Sequence, residues 1–510
     1  MEFINSIFTW VMKKRIHQIE LFLKYPHEVQ EELLNSLISR AAGTAFGKDH
    51  DFANIKSIAD FQEKVPVVTY EEHYPYIDRT MKGEQNVLWP SDIRWFAKSS
   101  GTTNARSKFI PVSPETLEET HFKGGKDMLS IYMNNYPETR MFTGRGLVIG
   151  GSQQVNQFDQ NTKSSYGDIS AILISNMPWW AQIARTPSKD IALLSDFESK
   201  LERMAKTCIH DNVTSMSGVP TWTLVLLERI LEEQGKESIL DIWPNLEVFF
   251  HGAVSFTPYE QLFRRLIPSE RMRYVETYNA SEGFFGIQDQ TDSKEMLLML
   301  DYGIYYEFIP LDQLEEKQPK TLTLDQVEEG QIYAMVISTN AGLWRYKIGD
   351  TVKFTSLDPY RIKIAGRTKH FINAFGEELM IENAEQAIAC ACEITNAEID
   401  NFTAGPVYLD AGQKGGHEWI IEFIRRPEEI DRFITVLDEK LREINSDYDA
   451  KRHKDIALIP PRVHVVDQGT FHRWMKRRGK LGGQNKVPRL SNNREYLDDI
   501  LAMLEVRTQA

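Results

Sequence analysis

Cysteine is scarce in this chain. Cys208, Cys390 and Cys392 are the only three in 510 residues, too few for a disulfide framework and spaced like no structural zinc site. A reducing compartment, the cytoplasm, is the expectation. Long apolar runs are also missing, and nothing approaches the roughly 18 uninterrupted apolar residues that cross a bilayer. The opening "MEFINSIFTWVMKKR" places its basic residues after a short apolar run and has no small-residue cleavage site, unlike a secretory signal. It reads as the start of an amphipathic helix, Phe3–Tyr25, packed on the body. Positive charge is in deficit, with 59 Lys and Arg against 73 Asp and Glu and a net charge of −14. That balance disfavours general binding to nucleic acid or anionic lipid. Repeats and low-complexity tracts are absent.

What is present is a soluble globular composition, 42% hydrophobic and 26% charged, in a chain too long for one ordinary core. A large and a smaller domain are expected. In the first few hundred residues helical and strand-like segments alternate. Leu117–Tyr132 and Trp222–Gln234 carry apolar residues at helical spacing, whereas "GRGLVIGG" (Gly144–Gly151) and "LEVFFHGAV" read as buried strands. Pro258–Leu266 is a further helix candidate. Such alternation implies α/β layers around a largely parallel sheet. From about Met296, runs such as "GQIYAMVIST" and "YRIKIAG" separated by turn residues imply an antiparallel β subdomain. After the Gly366–His370 turn, helix candidates Glu382–Cys392 and Pro427–Asn445 alternate with strands "HEWIIEFI" and "RVHVVDQ". The expected division is 1–366 and 367–510.

Three segments carry candidate chemistry. "FAKSSGTTNARSKFIPVS" crowds hydroxyls, a glycine and cations behind a strand-like lead-in. Glycine permits close backbone approach, and N–H and O–H groups can donate to phosphoryl oxygens. The segment is neither a Walker loop nor G-x-G-x-x-G, and a polar surface turn would read the same. "ETYNASEGFFG" offers an aromatic ring at Tyr278 that can stack on a base, a hydroxyl at Ser281, and at Glu282 a hard oxygen ligand for Mg²⁺; an ordinary strand-to-loop turn with a solvated Glu is the plain alternative. "WRYKIGDTVKF" puts Asp350 after Gly349 at a turn, where a carboxylate can accept both ribose hydroxyls.

The order of these segments, followed by Gly-Arg and a late Lys, resembles the adenylate-forming superfamily of acyl-CoA synthetases, adenylation domains and luciferases. Within it "SSGTTNARSKFIPVS", "YNASEGFFGIQ", "LWRYKIGDTVKF" and "GQNKVPRL" are most similar to the Gretchen Hagen 3 family of acyl acid amido synthetases. "GTAFGKDHDF" and "SGVPTWTLVLLERI" fit the same family, and the likeness spans almost the whole chain. It implies an α/β fold: a large N-terminal domain of α/β sheets with a β-barrel-like part that binds ATP and the acyl acid, and a small mobile α+β lid. Carried onto matching positions, it implies a phosphate loop of Ser99, Ser100, Gly101, Thr102, Thr103 and Lys108. Gly252 and Ala253 would border the adenine on which Tyr278 stacks. Ser281 and Glu282 would serve the α-phosphate and Mg²⁺, Asp350 and Arg367 the ribose, and Lys486 would be the lysine brought in by the lid.

Some positions depart from the superfamily pattern. Asn104-Ala105-Arg106 stands where a second glycine is usual, and Lys369, the hinge candidate, stands where many members have Asp. No arginine follows the phosphate loop on its helix, and Lys123 and Lys126 there read as solvated. The basic run "FHRWMKRRGKLGGQNKVPR" is short and set in an acidic chain, so it reads as a lid carrying cations to a triphosphate instead of a nucleic-acid site. His251 reads as structural or adenine-adjacent. The resemblance implies a ligase that uses ATP and Mg²⁺ to adenylate a small carboxylic acid and passes the acyl group to an amino acid amine. Coenzyme A as acceptor, and a homologue that binds nucleotide without catalysis, are the alternatives.

Overall fold

The computed structural model describes residues 15–99, 108–150, 156–158, 161–194, 196–257, 259–291, 293–314, 316–367, 371–409, 414–453, 457–478 and 487–508; for Thr162, Trp180, Phe197, Arg367 and 505–508 it describes the backbone alone. Residues 15–24 are helical, as the sequence pattern requires of that part of Phe3–Tyr25. The helix Pro26–Ala41 begins with proline at its first turn, where the missing N–H costs nothing. Its Gln30 is buried: Nε2 donates to the carbonyls of Leu300 (2.7 Å) and Ile304 (3.0 Å), and Oε1 accepts from the N–H of Tyr306 at 2.9 Å. The helix Tyr70–Met81 starts at a capping box made by Thr69 and Glu72.

A four-stranded sheet contains β1 (Trp95–Ser99), β2 (Lys108–Val112), β4 (Asn156–Phe158) and β5 (Asn161–Gly167), in the order β2-β1-β5-β4. The main sheet has eleven strands. Its parallel half comprises β3 (Arg145–Ile149), β6 (Arg185–Thr186), β7 (Val213–Gly218), β8 (Val248–His251) and β9 (Arg273–Ala280). The antiparallel half adds β10 (Gly283–Ile287), β11 (Met296–Leu298), β12 (Ile304–Pro310), β13 (Ile332–Thr339), β14 (Tyr346–Leu357) and β15 (Tyr360–Arg367). The order is β12-β13-β14-β15-β11-β10-β9-β8-β7-β3-β6, so β9 is the hinge between the two halves, parallel to β8 and antiparallel to β10.

The antiparallel half is curled. Tyr278 on β9 lies five strand spacings from β13, about 24 Å on a flat sheet, yet its hydroxyl is 3.9 Å from the Met335 sulfur on β13. Tyr278, Phe285, Met335 and Val352 accordingly share one core with Phe22, Leu34 and Trp344. This is the β-barrel-like part that the resemblance implies. A second core, built around Trp243, Phe249 and Phe263, lies with the parallel half. There the helix Pro220–Gln234 has proline at its start and Gly235, in the left-handed conformation, at its end, the usual asymmetry of helix termini.

After β15 the chain makes a short pair, β16 (Phe371–Ile372) with β17 (Leu379–Met380), and a three-stranded sheet of β18 (Glu398–Val407), β19 (Gly416–Arg425) and β20 (Arg462–Val466). Helices Ile381–Thr395 and Ile430–Ile444 contribute Ala387, Phe433, Leu437 and Leu441 to a core that includes Trp419 and Tyr448. This part has a sheet and a core of its own, as expected of a smaller unit.

In the basic run, residues 479–486 lie outside the described residues, and the described part has two of its cations paired locally. Helix Thr470–Arg477 lies against the final helix Glu495–Thr508. Trp474 Nε1 donates to Asp499 at 2.7 Å, Arg477 pairs with Asp499, and Arg478 pairs with Glu495 at 3.1 Å. These cations are occupied locally because the neighbouring helix carries the matching carboxylates.

Candidate active site

The carboxyl ends of β8 and β9 face the turn into β10, at the edge where open α/β sheets place their ligands. Gly252 follows β8 directly, and a Cβ there would lie 2.5 Å from the Thr277 carbonyl on β9. Only glycine permits that approach. Ala253 has φ of +71°, uncommon for a residue with a side chain, and turns the chain away from the sheet. His251 is buried and stacked on Phe256 with ring centroids 4.1 Å apart. Burial, helped by the Lys294 charge, pushes its pKa down to about 3. It is a neutral packing residue beside the site.

Tyr278 is 5% exposed. Its hydroxyl donates to Asp350 Oδ2 at 2.6 Å, so the ring and carboxylate form one unit across the curled sheet. Asp350 on β14 stands opposite Arg367 on β15 in the strand register. Ser99 and Lys108 are likewise opposite one another, as the last pair of the β1–β2 hairpin. The Lys108 ammonium lies 5.7 Å from the centroid of the Tyr70 ring, and the Tyr70 hydroxyl accepts from the Phe109 N–H at 2.8 Å. Ser100, Gly101, Thr102 and Thr103, with Lys369 and Lys486, lie outside the described residues, as does the side chain of Arg367.

Ser281 and Glu282 occupy the β9–β10 turn, both half-buried. The Glu282 carboxyl is pushed up to about 7 by burial; the Lys108 charge opposes the rise, while Asp350 and Glu378 add to it. The sequence-derived candidates Lys108, Glu282, Asp350 and Tyr278 are therefore brought together. Glu378, from the loop between β16 and β17, was missed in the sequence because "FGEEL" looks like an ordinary polar turn. Lys123 was misread as solvated: its ammonium is held by the Asp301 carboxylate at 2.7 Å and the Asp301 carbonyl at 2.6 Å. Asp301 stands 178 residues away in the chain, beyond any local pattern.

No group of three or more His, Cys, Asp or Glu among the described residues is placed to hold a metal unaided. The donor set suits a cation that brings other ligands with it. Mg²⁺ is bound typically by one or two carboxylates plus substrate phosphates, and Glu282 is a carboxylate short of positive charge.

The two-part sheet, with Lys108, Glu282 and Asp350 at its edge, is of the α/β class that binds ligands at the carboxyl ends of its parallel strands. Family models for the GH3 N-terminal, central and C-terminal domains match residues 15–272, 297–367 and 382–495. The chain belongs to the GH3 family. It is 25% identical to the indole-3-acetic acid-amido synthetase GH3.4 of Arabidopsis thaliana, over 97% of this chain and 93% of that protein. It is 22% identical to the jasmonoyl–L-amino acid synthetase JAR4 of Nicotiana attenuata, over 93% and 92%. Among solved structures, the GH3.15 acyl acid amido synthetase superposes with a TM-score of 0.61 at 19% identity, over 96% of this chain and 95% of that one.

Proposed function

We propose that this ligase adenylates a small carboxylic acid with ATP and transfers the acyl group to the amine of an amino acid. The observation that carries the reading is the convergence of Lys108, Glu282 and the Tyr278–Asp350 unit at one edge of the sheet. The names of the relatives support an amide product. A carboxylate resists an amine because it is anionic and would have to expel oxide. Its oxygen therefore attacks the α-phosphorus of ATP, pyrophosphate leaves, and in the second step the amine nitrogen displaces AMP from the acyl carbon.

In this reading residues 1–366 bind ATP and the acid, and residues 367–510 are the lid, turning near Lys369. Ser99, Ser100, Gly101, Thr102, Thr103 and Lys108 cradle the triphosphate, and the backbone of Gly252 and Ala253 borders the adenine. Tyr278 stacks on the base while orienting Asp350, which with Arg367 takes the ribose hydroxyls. Ser281 meets the α-phosphate, and Glu282 would hold Mg²⁺. When bound there, Mg²⁺ would neutralise phosphate charge. Lys486, brought by the lid, balances charge on the nonbridging oxygens. No helix among the described residues is long and apolar enough to cross a membrane; we assign the enzyme to the cytoplasm, with small molecules and not nucleic acid as its partners.

The test is pyrophosphate exchange into ATP across a panel of aryl and aliphatic acids, followed by mass spectrometry of the products with amino acids or with coenzyme A. Exchange followed by an amide is expected. AMP release stimulated by coenzyme A alone would overturn the amide assignment, and no exchange with any acid would overturn the adenylation.

A further inference from the structure

The loop between β16 and β17 is held from both sides. On its inner side the buried Glu377 carboxylate accepts the N–H of Ala374 at 3.3 Å and of Phe375 at 2.7 Å. His417 Nε2, also buried, donates to the same carboxylate at 2.8 Å. Asn445 Nδ2 donates to the carbonyls of Glu377 at 3.0 Å and Glu378 at 3.3 Å. Gly376 at φ +81° and Glu378 at φ +40° let the loop fold tightly enough for these bonds.

On its outer side the same residues meet the large sheet domain. The Ala374 carbonyl accepts from the buried Tyr259 hydroxyl at 2.6 Å and the Phe375 carbonyl from Thr221 at 3.5 Å. Asn373 Nδ2 reaches the carbonyl of Ala253 at 3.4 Å, at the end of β8. The Ala374–Phe375 peptide unit is thus gripped on both sides, its N–H by Glu377 and its carbonyl by Tyr259 of the large domain.

We propose that Glu377, held by His417, is a positioning residue for the amide-forming step, fixing the Asn373–Glu378 loop in the shape that docks on Tyr259, Thr221 and Ala253. The assignment to that step rests on the activity proposed above and on charge. Asn373 accepts the Glu378 N–H at 3.2 Å while its Nδ2 reaches the Ala253 carbonyl at 3.4 Å, so the docked loop carries Glu378 to the edge where Glu282 and Asp350 stand. A third carboxylate is adverse to a bound triphosphate. It suits the later step, when pyrophosphate has gone and the incoming amino acid carries an ammonium group, and it disfavours the phosphate-rich coenzyme A.

The test uses the full chain with fluorophores introduced as unnatural amino acids at the exposed positions Glu237 and Glu439. Glu377→Gln removes one of the carboxylate acceptors, and Tyr259→Phe removes the donor on the opposite side of the seam. Without any substrate, the parent is expected to show one dominant interdomain transfer efficiency, and both variants a second population. In parallel, pyrophosphate exchange and amide formation are measured with indole-3-acetate and benzoate. The ratio of amide formation to exchange is expected to fall on the order of tenfold or more in both variants, since small misplacements of reacting groups carry costs of this size. Parent-like distance distributions in the variants overturn the positioning role. A shifted distribution with both half-reactions falling in proportion overturns its assignment to amide formation. If Glu377→Gln does not fold, the Tyr259→Phe distances and rates decide. A parent that exchanges pyrophosphate but makes no amide refutes the proposed activity, while the distance measurement still judges the brace.

Discussion

The Tyr278 hydroxyl donates a hydrogen bond to Asp350 at 2.6 Å, a contact that ties the last parallel strand to the barrel. A hydrogen bond to a charged group contributes about 1.5–3 kcal/mol. Tyr278→Phe is expected to free the carboxylate to rotate and to raise the KM for ATP on the order of tenfold with little change in kcat, because a ribose contact exists in both ground and transition states. Exchange assays at varied ATP check this. An unchanged KM removes the pair from the ribose site.

Glu282 must be ionised to hold a cation, yet burial, against Lys108 and with Asp350 and Glu378, lifts it to about 7. At limiting Mg²⁺ the rate of pyrophosphate exchange is expected to fall as pH drops through 7, and raising Mg²⁺ should move that limb to lower pH. Glu282→Gln should lower exchange on the order of 10² and abolish the Mg²⁺-dependent displacement. A pH profile indifferent to Mg²⁺ in the parent would take Glu282 out of the metal site.

The parts of the candidate site that the sequence showed are carried by local patterns: a glycine followed by a bend at Gly252–Ala253 and an acid after an aromatic strand at Glu282, whereas Ser100–Thr103 lie outside the described residues. Strands β3, β8, β13 and β19 are likewise visible as apolar runs bounded by turns. Nonlocal closure is what stayed hidden. Nothing near Tyr278 announces that Asp350, 72 residues later, takes its hydroxyl. Neither does "FGEEL" show that one glutamate is buried against His417, 40 residues on, while its neighbour's charge acts on Glu282. The four-stranded sheet was missed for the same reason, since β1 pairs with β5 across a separation of about seventy residues.

Lys486 offers the sharpest separation of the two half-reactions. Lys486→Ala is expected to slow pyrophosphate exchange on the order of 10²–10³ while sparing amide formation from a supplied acyl adenylate, if the lid presents different faces in turn. Equal losses in both assays would refute the alternation, and no loss in either would leave Lys480 as the next cation to test.

Three buried histidines set an acid limit on stability. Burial lowers His73 and His121 to about 4 and, with help from Lys294, His251 to about 3. Each folded-state value is depressed, so its contribution is present above the ordinary 6.5 and is lost as pH falls toward the folded value, because the unfolded chain takes the proton first. Every such histidine should add up to about 1.4 kcal/mol per pH unit to the slope of stability in that window. Glu282, raised instead of lowered, offsets part of it between its ordinary range and 7. Neither ring nitrogen of His121 has a hydrogen-bond partner among the described residues, so His121→Leu should flatten the slope. Urea melts from pH 7 to 4 measure this, and identical slopes in parent and variant would contradict it.

The buried amide of Gln30 finds its partners late in synthesis. Its three partners lie at residues 300, 304 and 306, so the N-terminal helices leave the ribosome long before the strands that satisfy them. At about 5–20 residues per second the nascent chain waits roughly 14–55 s for Tyr306 to be added, with the apolar face around Leu34 and Leu37 uncovered in the meantime. The order of the fold thus leaves that face open on the growing polypeptide, and a fragment stopped before β12 lacks the partners that satisfy the Gln30 amide.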